Sequence, residues 1–262
     1  MPLFRQSMLR KRRSAADEPF LLIRSSPSDS PTGRRITGHR REDWHNLIYV
    51  FAGLLTADTE RGSWLAPPTW AFWAPAGAVH ALRIVSASRY CTLYVRPDPA
   101  HDLPTQCCAL AVSPMLRELI ARTIEVGMLD QRDAVEAAMA TLILSELSRA
   151  GPPPFTLPQP VSDQTRRAAQ LLASDAPPTL AAVARVVGLG ARTLERRFHA
   201  ETGLTPGRWR QQRKMMISLE RIASGEPVKA AAAAAGFASA SAYVAAFRKV
   251  FGATPARYFA AP

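Results

Sequence analysis

Hydrophobic and polar positions alternate in short runs over the first hundred residues, and the period then changes. Between positions 20 and 96, apolar runs at 20–24, 46–51, 71–73, 81–85 and 92–95 are separated by Gly, Pro, Asp and Ser clusters, the spacing of short strands joined by close turns. That pattern predicts a small barrel or sandwich over residues 19–112, with a turn at Gly53. From Ser113 the spacing lengthens. Leu116, Leu119, Ile120 and Thr123 recur at i, i+3, i+4 and i+7, one face of a helix, and Pro114 sits where a first turn accepts proline. A second helix is expected from about Gln131, with Val135, Met139, Leu142, Ile143 and Leu147 as its apolar stripe. Residues 113–150 therefore read as a helical pair that either packs on the strands or forms a dimer seam. Residues 151–160 hold five prolines and read as a stiff, extended linker. Residues 1–18 are polar, basic and without period, the pattern of a disordered tail in which the basic run from Arg10 to Arg13 is either solvated or in reach of phosphates.

The last third of the chain, residues 161–262, contains a diverged internal repeat. One copy, AAVARVVGLGARTLERRFHAETGLTP, covers 181–206; the other, KAAAAAAGFASASAYVAAFRKVFGATP, covers 229–255. Gly188 matches Gly236 at an offset of 48; Leu194 and Tyr243, Phe198 and Phe247, Gly203 and Gly252, Pro206 and Pro255 match at 49. Each copy reads as a short apolar helix, a glycine turn, a second helix with aromatic anchors, then Gly and Pro, which is the outline of a helix-turn-helix. Ser162 or Asp163 is placed to cap a preceding helix to about Ala173, and Thr179 to cap the next. In the first copy a recognition helix is expected over 191–201, with Leu194 and Phe198 inward and Arg192, Glu195, Arg196 and, to one side, His199 outward. Arginine can donate two parallel hydrogen bonds to guanine O6 and N7, and glutamate can accept from cytosine N4. Glu195 serves equally well to hold Arg192 or Arg196 in place. A helix over 206–223 should join the two copies; eighteen residues span roughly 27 Å, enough to set two reading helices about one DNA turn apart. Arg208, Arg210, Arg213 and Lys214 read as one basic strip along it, suited to phosphates. The second recognition helix is expected over 239–251, with Tyr243, Phe247 and Phe251 inward and Ala240, Ser241, Val244 and Ala245 outward. Its outward alanines and valine can touch a thymine methyl but offer bases no hydrogen bond. Direct readout is therefore expected from the first copy, and phosphate grip from Arg248, Lys249 and Arg257 of the second, with Arg197 of the first also facing the DNA backbone.

TLAAVARVVGLGARTLERRF, FHAETGLTPGRW and GFASASAYVAAFRKVFGATPARY resemble the DNA-binding domain of the AraC/XylS family of transcription regulators over about 161–258. The resemblance implies tandem helix-turn-helix motifs that bind double-stranded DNA, with Arg192, Glu195, Arg196, Ala240, Ser241 and Ala245 at base-reading positions. It departs at Ala245, where the family commonly has arginine. The resemblance extends to an N-terminal cupin-like sensor: Pro75, Gly77 and His80 reproduce the PxGxxH of a cupin's second motif, residues 39–45 resemble a degraded first motif, and WHNLIYVFAGLLT and WAPAGAVH resemble the sensor group. It implies a small-molecule effector bound in the barrel, dimerisation through 113–150, and RNA polymerase as a further partner.

Three histidines, His39, His45 and His80, lie near positions that cupins use for a divalent metal, and neutral imidazole is a common ligand. Arg41 stands where the second histidine of HxH would be, and Glu42 is one residue off; a cation beside the ligands weakens such a site. The alternative is a set of histidines retained in a barrel that binds an organic effector. Trp44, Trp64 and Trp73 could line a pocket for an apolar effector or be ordinary core. Cys107 and Cys108 are adjacent, a poor geometry for a disulfide.

Charge sharpens the division. Residues 161–262 carry 15 Lys and Arg against 6 Asp and Glu, residues 46–160 carry 8 against 10, and the first 45 carry 10 against 5. A basic C-terminal module beside a near-neutral middle fits a polyanion-binding unit joined to a sensor or assembly unit. There is no apolar run of membrane-spanning length, no apolar segment after the basic N-terminus to make a secretory signal, and an odd count of three cysteines, so a reducing cytoplasm is expected. The expected class is α+β: a cupin-like β-barrel with a helical segment, plus an all-α C-terminal domain. The expected function is a sequence-specific, non-enzymatic transcription regulator without a required cofactor. A weakly specific architectural DNA binder and a metal-dependent cupin enzyme with a DNA-binding appendage are the alternatives.

Overall fold

The computed structural model describes residues 19–39, 43–59, 62–68, 70–98, 102–151, 157–174 and 178–259. The N-terminal tail, Arg41, Glu42 and residues 152–156 of the proline-rich linker lie outside the described residues. The chain divides into two compact units, the second comprising Phe155–Tyr258 with Arg61–Ser63.

The first unit is built on β1 (Leu21–Ser30), β2 (Arg35–His39), β3 (His45–Thr59), β4 (Gly62–Ala66), β5 (Trp70–Ala74), β6 (His80–Val95), β7 (Cys108–Ala111) and β8 (Met128–Asp130), with α1 (Pro114–Val126) before β8 and α2 (Ala134–Arg149) after it. The hydrogen-bonded path runs β7-β5-β3-β6-β1-β8, with β2 on β6 and β4 on β3. This corrects the expected barrel: among the described residues the sheet stays open, because the path starts at β7 and ends at β8. The turn expected at Gly53 is also corrected. Gly53 lies inside β3 with φ +85, where the pairing with β6 shifts register between Val50 and Leu55. A bulge bends a strand without ending it, so one long strand replaces a hairpin.

Alternation puts two cores on the two faces of this sheet. Leu47, Tyr49, Ala71, Trp73, Cys91 and Leu93 pack with Leu116 and Ile120 of α1 and Ala140, Ile143 and Leu147 of α2. Ile48, Val50, Phe72, Ala74, Leu82 and Ile84, at the alternate strand positions, form the other. Ser113 joins the two helices: its hydroxyl accepts from the Leu116 N–H and donates to Glu146 Oε2 at 2.5 Å. The second helix starts at Ala134 rather than near Gln131, because β8 occupies the preceding residues and Asp133 caps α2 through the Val135 and Glu136 N–H groups.

From residue 157 on, helices are the only regular elements among the described residues: α3 (Asp163–Leu172), α4 (Leu180–Val186), α5 (Ala191–Thr202), α6 (Pro206–Ala223), α7 (Val228–Ala234), α8 (Ala240–Phe251) and α9 (Pro255–Phe259). Local chemistry sets its boundaries. Thr179, Thr205 and Ser239 cap α4, α6 and α8 with side-chain oxygens, each satisfying an N–H that the helix leaves unpaired. The matched glycines Gly188 and Gly236, at φ +71 and +69, make the two turns that a β-carbon would strain.

Candidate nucleic-acid interface

In each helix-turn-helix an aromatic floor holds the second helix and leaves its other face to solvent. Leu194 and Phe198 of α5 are fully buried, and Phe198 meets Trp209 of α6 edge to face at 5.8 Å. Trp209 Nε1 donates to the Pro158 carbonyl at 2.8 Å. In α8, Tyr243 and Phe247 are fully buried; Phe247 stacks on Phe251 at 4.4 Å and meets Tyr258 at 5.5 Å. Phe251 itself is half-buried and closes the edge of this cluster.

The outward faces differ in chemistry. Arg192, Glu195, Arg196 and His199 of α5 are exposed, and i, i+3 and i+4 spacing sets Arg192, Glu195 and Arg196 together. At the matching positions 49 residues on, α8 offers Ser241, Val244, Ala245 and Arg248. Arg197 has a partner within the protein: Nη1 donates to Gln164 Oε1 of α3 at 2.7 Å, and Gln164 Nε2 donates to the Val187 carbonyl at 3.2 Å. The same arginine thus ties α5 to α3 while its face stays exposed.

The basic strip expected along α6 is not one strip. Gly207, Arg210, Gln211 and Lys214 line a groove of about 360 Å³ closed by Gly236, Phe237 and Ala238, and Lys214 Nζ donates to the Gly236 carbonyl at 3.2 Å. Each residue turns about 100° around the axis, which carries Arg208 and Arg213 to either flank of that groove. Arg248, Lys249 and Arg257 are exposed on α8 and α9.

One residue that the sequence reading missed organises the base of the first motif. Glu201, at the end of α5, accepts from the Val161 and Ser162 N–H groups at 2.7 and 3.0 Å and from the Ser162 and Thr165 hydroxyls at 2.7 and 2.5 Å. Burial pushes its carboxyl up, but the hydrogen bonds from Thr165, Ser162 and Val161 outweigh it and hold the group at about 2. A depressed carboxylate stabilises fully above its ordinary value of 4.5 and loses that contribution as pH falls toward 2. Glu201→Gln should therefore cost about 1–3 kcal/mol at pH 7, nearer the low end for a carboxylate that water still reaches. The gap between variant and wild type should close between pH 4.5 and 2; urea titrations at pH 7, 4 and 2.5 check it, and a gap independent of pH would refute the role.

In the first unit the candidate residues separate. Trp73 lies with the α1 and α2 core, fully buried, and its Nε1 donates to the Pro104 carbonyl at 2.7 Å. Trp64 packs on the opposite core, 5.6 Å from Phe72. Trp44 sits with Leu21 and Tyr94, under the Arg96 guanidinium at 5.9 Å. Three indoles in three clusters do not line one pocket. The histidines are divided likewise. His45 stacks on Trp73 at 5.0 Å, and its Nδ1 accepts from the Ala76 N–H at 2.8 Å. His80 meets Phe72 at 5.7 Å from the other face, with Nδ1 3.1 Å from the Ala78 carbonyl. Burial lowers the pKa of both; at His80 it outweighs the Ala78 hydrogen bond. His39 lies opposite His80 in the β2–β6 register; its side chain is outside the described residues. His45 and His80 on opposite faces do not fit one metal ion, and among the described residues no three His, Cys, Asp or Glu side chains gather as a metal site. Burial, then the neighbouring Cys107, pushes the Cys108 thiol up to about 11, far from a reactive thiolate.

Among the described residues no helix is long and apolar enough to cross a membrane. Residues 183–261 match a family described as a helix-turn-helix domain. The chain is 30% identical over 217 residues to the HTH-type transcriptional regulator NimR of Escherichia coli K12, covering 82% of this chain and 79% of that protein. It is 40% identical over 81 residues to the regulatory protein Ada of Salmonella typhimurium, 31% of this chain and 23% of that protein. Among solved structures, wild-type ToxT of Vibrio cholerae with bound unsaturated fatty acid aligns with a TM-score of 0.39 at 11% identity, over 92% of this chain and 95% of that one. Tandem helix-turn-helix motifs with exposed outer faces, and a relative matched along most of both chains, lead to one assignment: this chain belongs to the AraC/XylS family and is a DNA-binding transcription regulator of that type.

Proposed function

We propose that the regulator sets α5 and α8 in successive major grooves, that α5 does most of the base reading, and that the first unit is a cupin-like sensor for a small organic effector. The carrying observation is the contrast between two matched faces: Arg192, Glu195 and Arg196 exposed on α5, against Ser241, Val244 and Ala245 on α8. In this reading Arg192 and Arg196 donate to guanine edges, and Glu195 accepts from cytosine or steadies an arginine. Arg208, Arg213, Lys214, Arg248, Lys249 and Arg257 take phosphates, and Arg197 does so from the anchored position that Gln164 gives it. Lys214, already set against the turn at Gly236, is the best preorganised of them.

Effector binding in the sheet unit would change which half-sites are occupied, through a homodimer formed by α1 and α2. The exposed Val135 and Leu142 of α2 and Met115 of α1 support that seam. RNA polymerase is the further partner, the cell interior is the place of action, and the role is regulatory rather than catalytic. The separation of His45 from His80 weighs against a cupin enzyme that needs a metal. The plain face of α8 keeps the architectural binder as a second reading.

Selection of genomic fragments by the purified chain, followed by affinity against random duplex at about 150 mM salt, tests the first reading. Two motifs about one helical turn apart are expected; similar affinity for selected and random DNA would favour the architectural binder. On the selected site Arg196→Ala should cost about 1–3 kcal/mol and relax one position. An equal loss on random duplex would move Arg196 to a phosphate.

A further inference from the structure

We propose that α8 reads its half-site through thymine methyl groups. The proposal rests on the two-groove reading above and gives the second motif a specificity of its own. Ala240, Ser241, Val244 and Ala245 line, with Arg248, Lys249 and Thr254, an open groove of about 700 Å³ along the outer face of α8. The residues follow i, i+1, i+4, i+5, i+8 and i+9, so the small apolar side chains make a continuous floor and the two cations sit at its C-terminal end. Cations at that end complement both the helix dipole and a phosphate strand, which fixes the occupant as duplex DNA.

The floor determines what can be read. Ser241 is its only side-chain hydrogen-bonding group between the helix start and Arg248. Alanine and valine place methyls where α5 places guanidinium and carboxylate, and the major-groove feature complementary to a methyl is the C5 methyl of thymine. Short side chains also let the helix axis approach the bases more closely than an arginine would. The half-site under α8 is therefore rich in thymine on the contacted strand and indifferent to the hydrogen-bonding edge. Cytosine carrying a 5-methyl group should substitute for thymine there.

The test uses the full chain and its selected duplex, with thymine replaced by uracil in one half at a time. The half under α5 is the one whose sequence dependence Arg196→Ala relaxes. Uracil under α8 should weaken binding about fourfold for each contacted methyl, 5-methylcytosine in place of uracil should restore it, and Val244→Ser should blunt both effects. Val244 and its neighbours lie on the outer face, away from Tyr243 and Phe247, so folding persists in the variant. Uracil without effect, while base changes under α5 still cost affinity, overturns methyl reading and leaves the apolar face to a protein partner. Equal affinity for selected and random duplex overturns the two-groove reading itself, and this inference with it.

Discussion

Phe198→Ala should remove about 3–5 kcal/mol from the helical unit, the range for truncating a fully buried phenylalanine. The side chain has no exposed surface and supports α5 from below, against Trp209. Its loss opens a cavity that rigid neighbours cannot fill: Trp209 is tethered to Pro158, and α4 is held by its own cap. The urea midpoint should fall with little change in slope, because the same surface unfolds. DNA affinity should fall more on the selected site than on random duplex, since the helix proposed to do most of the base reading loses its seat. Phe198→Leu, which keeps most of the volume, should cost much less. An alanine variant within 1 kcal/mol of wild type would mean that α5 is held from elsewhere. The contrast with Arg196→Ala separates the two layers of the motif: one substitution removes the platform, the other an exposed side chain proposed to read bases from an intact platform.

The two halves of the chain were legible to different degrees, for a physical reason. Helix α6 runs over the residues expected, and α5 and α8 begin or end within one residue of expectation, because capping threonines, turn glycines and the i, i+4 aromatics act over a few residues. The strands were harder. β3 and β6 are 15 and 16 residues long, but Gly53 in the one and the serines of the other break the apolar alternation, so each looked shorter or divided. β2, β4, β7 and β8 have three to five residues each and are strands because of what they pair with, which lies far away in the sequence.

The same distinction governs the site. Outward positions on α5 follow from helical period alone, and they are exposed as expected. Glu201 was not found because its partners lie 36 to 40 residues earlier, and a lone glutamate at a helix end carries no local mark. Arg197 looked like any other exposed arginine until Gln164 appeared beside it. The tryptophans looked like one group because they are close in sequence; strand alternation sends Phe72 and Trp73 to opposite cores, and their neighbours follow them.

Gly53→Ala should destabilise the sheet unit by an amount that two separate costs build up. Its φ of +85 lies where an L-residue carries about 1–2 kcal/mol of strain. A β-carbon there would also overlap the Ala87 carbonyl oxygen and come within 2.5 Å of Ser88 Oγ and 2.7 Å of Ser88 Cα. Backbone atoms cannot swing aside as a long side chain does, so β3 and β6 must separate at the bulge, which adds about 1–3 kcal/mol. Ser88 raises the cost, because its hydroxyl is oriented toward the Ser86 and Leu54 carbonyls at 2.6 and 3.2 Å and would lose that geometry. Gly33→Ala supplies the control. Its φ is nearly the same, +82, but nothing lies within 4 Å of the added carbon, so only the backbone strain remains. The difference in urea midpoint between the two variants isolates the close approach of β3 to β6. Equal losses at the two positions would show that the strand crossing at Gly53 yields to a methyl group, and that the bulge, not the contact, is why glycine occupies the site.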